Sequence, residues 1–261
     1  MTTASPVDIY ITIAAFLISV FGSLLTIILI SNSYLKELWK SVDRIIQDKK
    51  YQEYINLLST PRQASFLYKF SKRMFDLILA LILLIELTPL FLLISIILKL
   101  DSPGPVFISQ MLIGLNKKRF RAIKFRTMTL EVEEERLDIK TAFRSWNDRR
   151  ITRVGRFLRQ TSLDELPKLL NIFKGDMSFV GTSIATDFAY IEEIDPRARE
   201  ILAQSKPGLV SLWSLSGRSW KLDLETRILF DLHYVLYQSL LLDFGILIRT
   251  IPSMLGRAGT R

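Results

Sequence analysis

Two adjacent carboxylates, Asp164-Glu165, carry the most chemistry in this chain. A carboxylate has a reference pKa near 4, so at neutral pH it is a nucleophile that needs no base to activate it. It can equally help to hold a divalent cation or accept a proton. The sequence ahead of the pair is basic: Arg144, Arg149, Arg150, Arg153, Arg156 and Arg159, with Asp148 the one acid among them. Guanidinium forks match phosphate oxygens bidentately. Two further cations, Lys124 and Arg126, lie in the run Lys124-Phe125-Arg126-Thr127-Met128. Together these residue types point to chemistry on a phosphorylated substrate. Blander readings stand beside that one. Ser162-x-x-Glu165 is a capping-box pattern, and Asp164 could itself cap a helix with Pro167 in its first turn. Either way the acids are expected at a helix N-terminus beside Arg159, a place that attracts phosphate. The arginines would also suit anionic lipid headgroups. Nucleic acid is disfavoured, because no recognised module is present and aromatic residues are sparse among the bases.

Composition narrows the chemistry. The chain of 261 residues has no cysteine, which excludes disulfides and thiolate metal sites. A single histidine, His233, excludes a multi-histidine metal site and weighs against a Ser-His-Asp triad. Net charge is +9 while 49% of the residues are hydrophobic, so charge and apolarity must be segregated along the chain. That pattern rules out a disordered chain, a disulfide-stapled secreted domain and a simple soluble enzyme.

The elements that must position the acids begin with two apolar blocks. Ile9–Ile30 is free of charge and long enough to cross a bilayer, which takes about 20 residues. A signal peptide would want basic residues before the block and a small-x-small site after it. Met1–Asp8 holds no Lys or Arg, and Ser-Asn-Ser-Tyr-Leu follows Ile30. The reading is a retained N-terminal transmembrane anchor over residues 1–32. Lys36, Lys40, Arg44, Lys49, Lys50, Arg62 and Lys69 then place the following side in the cytoplasm. Leu77–Leu98 has one acid, Glu86, and bases on both flanks at Lys72, Arg73 and Lys99. A spanning helix would strand one basic flank on the wrong side. A re-entrant helix-break-helix over residues 69–100 satisfies both, with the break at Thr88-Pro89. Pro89 removes a helical hydrogen bond, and the Thr88 hydroxyl can cap a freed backbone group. Between the blocks, Leu35, Leu38, Trp39, Val42, Ile45 and Ile46 recur at helical spacing and predict an amphipathic linker within residues 33–68. Residues 101–261 then form a cytoplasmic catalytic domain. Val106–Leu112 and Arg119–Thr127 predict a β-hairpin. From Thr186 the chain reads as mostly helical with a break at Lys206-Pro207-Gly208, and Asp243–Leu255 suits an interfacial helix on the bilayer. The fold class is α+β, mostly α.

An ordered series of motifs runs through residues 69–258. It begins with Lys72-Arg73-x-Phe75-Asp76, Gly104-Pro105-Val106-Phe107-x-x-Gln110, the Lys124–Met128 run and Arg150–Arg159. It continues with Ser162-Leu163-Asp164-Glu165-Leu166-Pro167, Asn171, Lys174–Ser178, Val180-Gly181, Lys206-Pro207-Gly208 and Asp231–Val235. In order and spacing the series resembles the bacterial sugar transferase family, the monotopic phosphoglycosyl transferases, and its tail resembles the exopolysaccharide-initiating members. The resemblance implies transfer of a sugar-1-phosphate from a nucleotide diphosphate sugar, usually a UDP-sugar, to polyprenyl (undecaprenyl) phosphate, with release of UMP. It implies Asp164 as the nucleophile that forms an aspartyl-phosphosugar, Glu165 as its partner and Mg²⁺ as the cofactor, held by Asp164 and Glu165. Arg159, Lys124 and Arg126 are then candidates for the substrate phosphates. It also implies a re-entrant membrane helix, and a site on the cytoplasmic face of the bacterial inner membrane among membrane lipids. Two departures stand out. The family follows Val-Gly with Pro-Arg-Pro where this chain has Thr182-Ser183-Ile184, and it carries an arginine where Leu112 stands. Arg218 is the candidate replacement cation. The departures keep open a catalytically weak or inactive homologue that acts as a membrane scaffold. The sugar, the role of residues 1–68 and the oligomeric state, homo-oligomer included, stay open as well.

Overall fold

The computed structural model describes residues 64–129, 150–183, 195–215 and 224–255, with Ser33, Lys36, Glu37 and Lys40 as isolated helical positions. The expected anchor, nearly all of the linker and Arg218 lie outside the described residues.

Helix α1 (Phe66–Glu86) is N-capped by Ser65, whose hydroxyl accepts from the Tyr68 amide at 3.2 Å. It ends at Leu87, and α2 (Thr88–Asp101) starts at once with Pro89 in its first turn. The Thr88 hydroxyl donates to the Leu84 carbonyl at 2.7 Å, so the backbone acceptor freed at the break is satisfied as the sequence predicts. The two helices are bent by 58°; no single helix among the described residues is long and apolar enough to cross a membrane, whereas this pair together has the length and composition to do so. Ile78, Leu81, Ile82 and Ile85 on α1 and Leu92, Leu93, Ile96 and Leu100 on α2 are exposed. Such a continuous apolar face on a folded protein marks an interaction surface.

The C-terminal end of this pair leads into the hairpin. Strand β1 (Phe107–Ile113) pairs antiparallel with β2 (Arg119–Phe125), from Phe107 opposite Phe125 to Ile113 opposite Arg119. Next come α3 (Arg153–Thr161), α4 (Lys168–Lys174), β3 (Ser178–Val180), α5 (Pro196–Leu202) and β4 (Gly208–Val210). The chain closes with α6 (Leu212–Leu215), α7 (Leu224–Tyr237) and α8 (Leu240–Leu255). Strands β3 and β4 form a parallel pair that the sequence reading missed, because three-residue strands show no alternation. The main core joins Leu112 and Phe120 of the hairpin, Leu169 and Ile172 of α4, Phe179 and Val180 of β3, and Tyr234, Leu242 and Ile246 of the last two helices. A smaller cluster sets Ile94 and Leu98 of α2 against Phe125 and Leu158.

The motif Lys72-Arg73-x-Phe75-Asp76 docks α1 onto this domain. Arg73 donates to the Ile172 and Phe173 carbonyls, both at 2.8 Å, at the C-terminal end of α4. Asp76 is buried and accepts from the Ser178 hydroxyl and the Phe179 amide, both at 3.1 Å. Lys72 pairs with Asp243 at 2.7 Å.

That last contact brings the N-terminal part of α8 onto α1. Along α8, from Leu240 to Thr250, the side chains are buried or partly buried. Asp243 points into the protein, where Lys72, Tyr68 and Tyr234 supply its donors.

Candidate active site

The carboxylate pair sits on a 3₁₀ turn, Leu163–Glu165, wedged between α3 and α4. Ser162 stops α3 in the left-handed conformation (φ 58°) and makes no side-chain cap. The capping-box expectation is therefore corrected: α4 begins at Lys168, with Pro167 rather than Asp164 at its N-cap position. Successive hydrogen bonds, Leu166 to Leu163, Leu169 to Leu166 and Leu170 to Pro167, run the tight turn into α4 and fix the acids one turn ahead of it. Asn171 locks that unit to the hairpin: its amide donates to the Arg121 carbonyl at 2.7 Å and its side-chain oxygen accepts from the Ile123 amide at 2.9 Å.

Three cations converge on the pair. Lys168 lies 3.1 Å from Glu165, and Lys124, from β2, lies 4.0 Å away. Arg159 is close enough, with those lysines, to pull Asp164 toward its charged form. Burial and the neighbouring Glu165 charge act the other way and prevail, so the Asp164 pKa is pushed up to about 6. Asp164 accepts no hydrogen bond among the described residues. At neutral pH it is an ionised carboxylate, partly shielded from water, with its oxygens uncommitted.

The structure thus brings together Asp164, Glu165, Lys124 and Arg159. Lys168 joins them, although at sequence level it is only a basic residue after Pro167, and its i, i+3 spacing from Glu165 was the available signal. Arg126 goes elsewhere. It is 1% exposed, and its guanidinium donates to the carbonyls of Leu98, Ser102 and Pro103 and to the Ser102 hydroxyl. It ties the end of α2 to the hairpin instead of facing the acids. Leu112, at the first departure, is a core residue. At the second, the Ser183 amide bonds both Asp231 carboxylate oxygens at 2.8 Å, and its hydroxyl accepts from Arg227 Nε at 3.0 Å. A cation from α7 thus stands against the position, and Arg227 also lies over the Trp213 ring.

No group of three or more His, Cys, Asp or Glu among the described residues could cage a metal. Mg²⁺ rarely asks for one: it takes one or two carboxylates and fills the rest of its shell with substrate phosphates and water. Asp164 and Glu165 could supply such carboxylates.

A carboxylate pair set among lysines and an arginine is the equipment of a group-transfer enzyme for anionic substrates. The family comparison makes that class particular: the bacterial sugar transferase model matches residues 67–257. The chain belongs to that family. It is 40% identical over 195 residues to the exopolysaccharide production protein ExoY of Sinorhizobium fredii, covering 70% of this chain and 85% of that one. It is 39% identical over 191 residues to a UDP-glucose:undecaprenyl-phosphate glucose-1-phosphate transferase of Caulobacter vibrioides, covering 70% and 69%. With an undecaprenyl-phosphate galactose phosphotransferase of Salmonella typhimurium it shares 37% over 205 residues, 73% of this chain and 42% of that longer protein.

Proposed function

We propose that this chain moves a sugar-1-phosphate from a UDP-sugar to polyprenyl phosphate at the cytoplasmic face of the bacterial inner membrane, starting an exopolysaccharide or related glycan. The observation that carries the reading is the uncommitted Asp164 carboxylate among Lys124, Lys168 and Arg159. In the first half-reaction an Asp164 oxygen attacks the sugar-proximal phosphorus. The bond from that phosphorus to the bridging oxygen breaks, and UMP leaves with the electron pair. Lys124 and Arg159 offset the charge that builds on the phosphates. In the second half-reaction a polyprenyl phosphate oxygen attacks the same phosphorus, and the Asp164 carboxylate is regenerated. Glu165, 3.1 Å from Lys168, would take the acceptor's proton. Bound Mg²⁺ would neutralise pyrophosphate charge.

The bent helix pair supports the membrane part of the reading. At 1.5 Å per residue, α1 with 21 residues and α2 with 14 are about 31 and 21 Å long. If both outer ends stay on one face, a bend of 58° tilts each arm about 30° into the bilayer, so the apex reaches about 10–15 Å down, one leaflet. An acceptor that cannot leave lipid and a donor that comes from water would meet at such a boundary.

The test is a panel of UDP-sugars with undecaprenyl phosphate and Mg²⁺, with UMP as the readout. UMP release that depends on Asp164 is the expected result. UDP as product would indicate ordinary glycosyl transfer, and no turnover with any sugar would favour the scaffold.

A further inference from the structure

We infer that Thr127 is a positioning residue for donor binding, its hydroxyl holding the Arg159 guanidinium in place toward the carboxylate pair. The inference rests on the phosphosugar-transfer reading of the site.

Arg159 Nε donates to Thr127 Oγ1 at 2.9 Å. A guanidinium is a rigid planar fork, so fixing the Nε–H sets the direction of both terminal nitrogens. Thr127 is itself held hard. It is 3% exposed, and its carbonyl accepts from the Thr152 amide, the N-cap of α3, at 3.2 Å. The first turn of α3 lies directly on its backbone, since a Cβ at Gly155 would stand 2.1 Å from the Thr127 carbonyl oxygen. Only glycine permits that approach. Arg159 follows Gly155 by four residues, so it rises from the same helical face one turn on. One residue thus fixes where α3 starts and where its arginine points. Thr127 also follows Lys124 by three positions, so a single chain segment delivers the lysine by its side chain and the arginine by proxy.

A buried threonine that merely stabilises α3 would lower stability when removed and leave substrate affinity alone. The experiment separates the two, using the full chain in nanodiscs, donor KM and kcat from UMP release, and UDP affinity from calorimetry. Thr127→Val should raise KM and weaken UDP binding roughly tenfold, the size of a lost hydrogen bond to a charged group, with a smaller change in kcat. Thr127→Ser should return both to within about twofold. In an Arg159→Ala background Thr127→Val should weaken UDP binding no further, because the two act as one unit. Should the valine variant fail to fold, Thr127→Ala takes its place in the same cycle. UDP affinity within about twofold of wild type in the folded variant, no recovery with serine, or additive penalties would each overturn the inference. If the UDP-binding pattern holds while wild type releases no UMP, the transfer reading fails and this one stands. A wild type that does not bind UDP contradicts both.

Discussion

Two aspartates in this protein are drawn out of water beside lysine, and they serve opposite ends. Asp243 is 4% exposed and saturated: Lys72 lies at 2.7 Å, the Tyr68 hydroxyl at 3.0 Å and the Tyr234 hydroxyl at 2.8 Å. Asp164 has Lys124, Lys168 and Arg159 nearby, yet it accepts no hydrogen bond among the described residues. The first carboxylate is a rivet that joins α1 to α7 and α8. The second keeps its lone pairs. The use of a carboxylate shielded from water follows from how many donors have claimed its oxygens, and the count of bases around it in the sequence does not reveal that.

The sharpest way to break the comparison is to neutralise each acid in turn. Asp164→Asn should lower UMP release by at least about 10³-fold while the protein stays folded, as removal of a covalent nucleophile does. Asp243→Ala should act on stability instead. It leaves Lys72 facing an unmatched, largely buried environment, a loss of about 3–5 kcal/mol, and should lower Tm by roughly 10 °C. The kcat of the fraction that remains folded should hold. A catalytic defect there with unchanged Tm would erase the distinction.

The next effect is on pH. Because the Asp164 pKa is pushed up to about 6, the attacking form is lost as pH falls through that value. UMP release in the first half-reaction should fall about tenfold per unit below pH 6 and level off above pH 7. A limb at pH 4, the ordinary carboxylate range, would show an acid in free water. The smallest effect concerns stability at the same residue. Folding raises the Asp164 pKa, so the folded state holds that proton more tightly than the unfolded chain does. The resulting stabilisation is present below about pH 4 and lost as pH rises through about 6. At pH 8 the folded state therefore carries an unfavourable charge, and Asp164→Asn should melt a few degrees higher than wild type there. At pH 4 the gap should close.

The parts of the molecule that were legible in the sequence are those where one residue type has one physical use. Pro89 after Thr88 marks a helix break wherever it occurs, and the structure breaks at Leu87. Alternating residues around Gly114–Lys118 make a hairpin, and the register bears that out within a residue or two. Asp164-Glu165, Lys124 and Arg159 were legible as a group of acids and bases, and the structure brings them together. What stayed hidden depends on long-range partners. Arg126 looks like any other base beside Lys124, until the carbonyls at the end of α2 claim its guanidinium. Asp243 looks like a lone acid at the start of an apolar stretch, until Lys72, 171 residues earlier, arrives to pair with it. Ser162 looks like a cap, until its positive φ turns the chain away.

The central claim is a covalent bond to Asp164, and trapping it is the most direct measurement. The purified chain, with a UDP-sugar and Mg²⁺ but no polyprenyl phosphate, would be quenched and read by intact mass and peptide mapping. The account predicts a mass increase of one sugar phosphate, mapped to Asp164, with a matching burst of UMP and loss of both when polyprenyl phosphate is added. UMP formed only when both substrates are present, with no adduct on the enzyme, would contradict it.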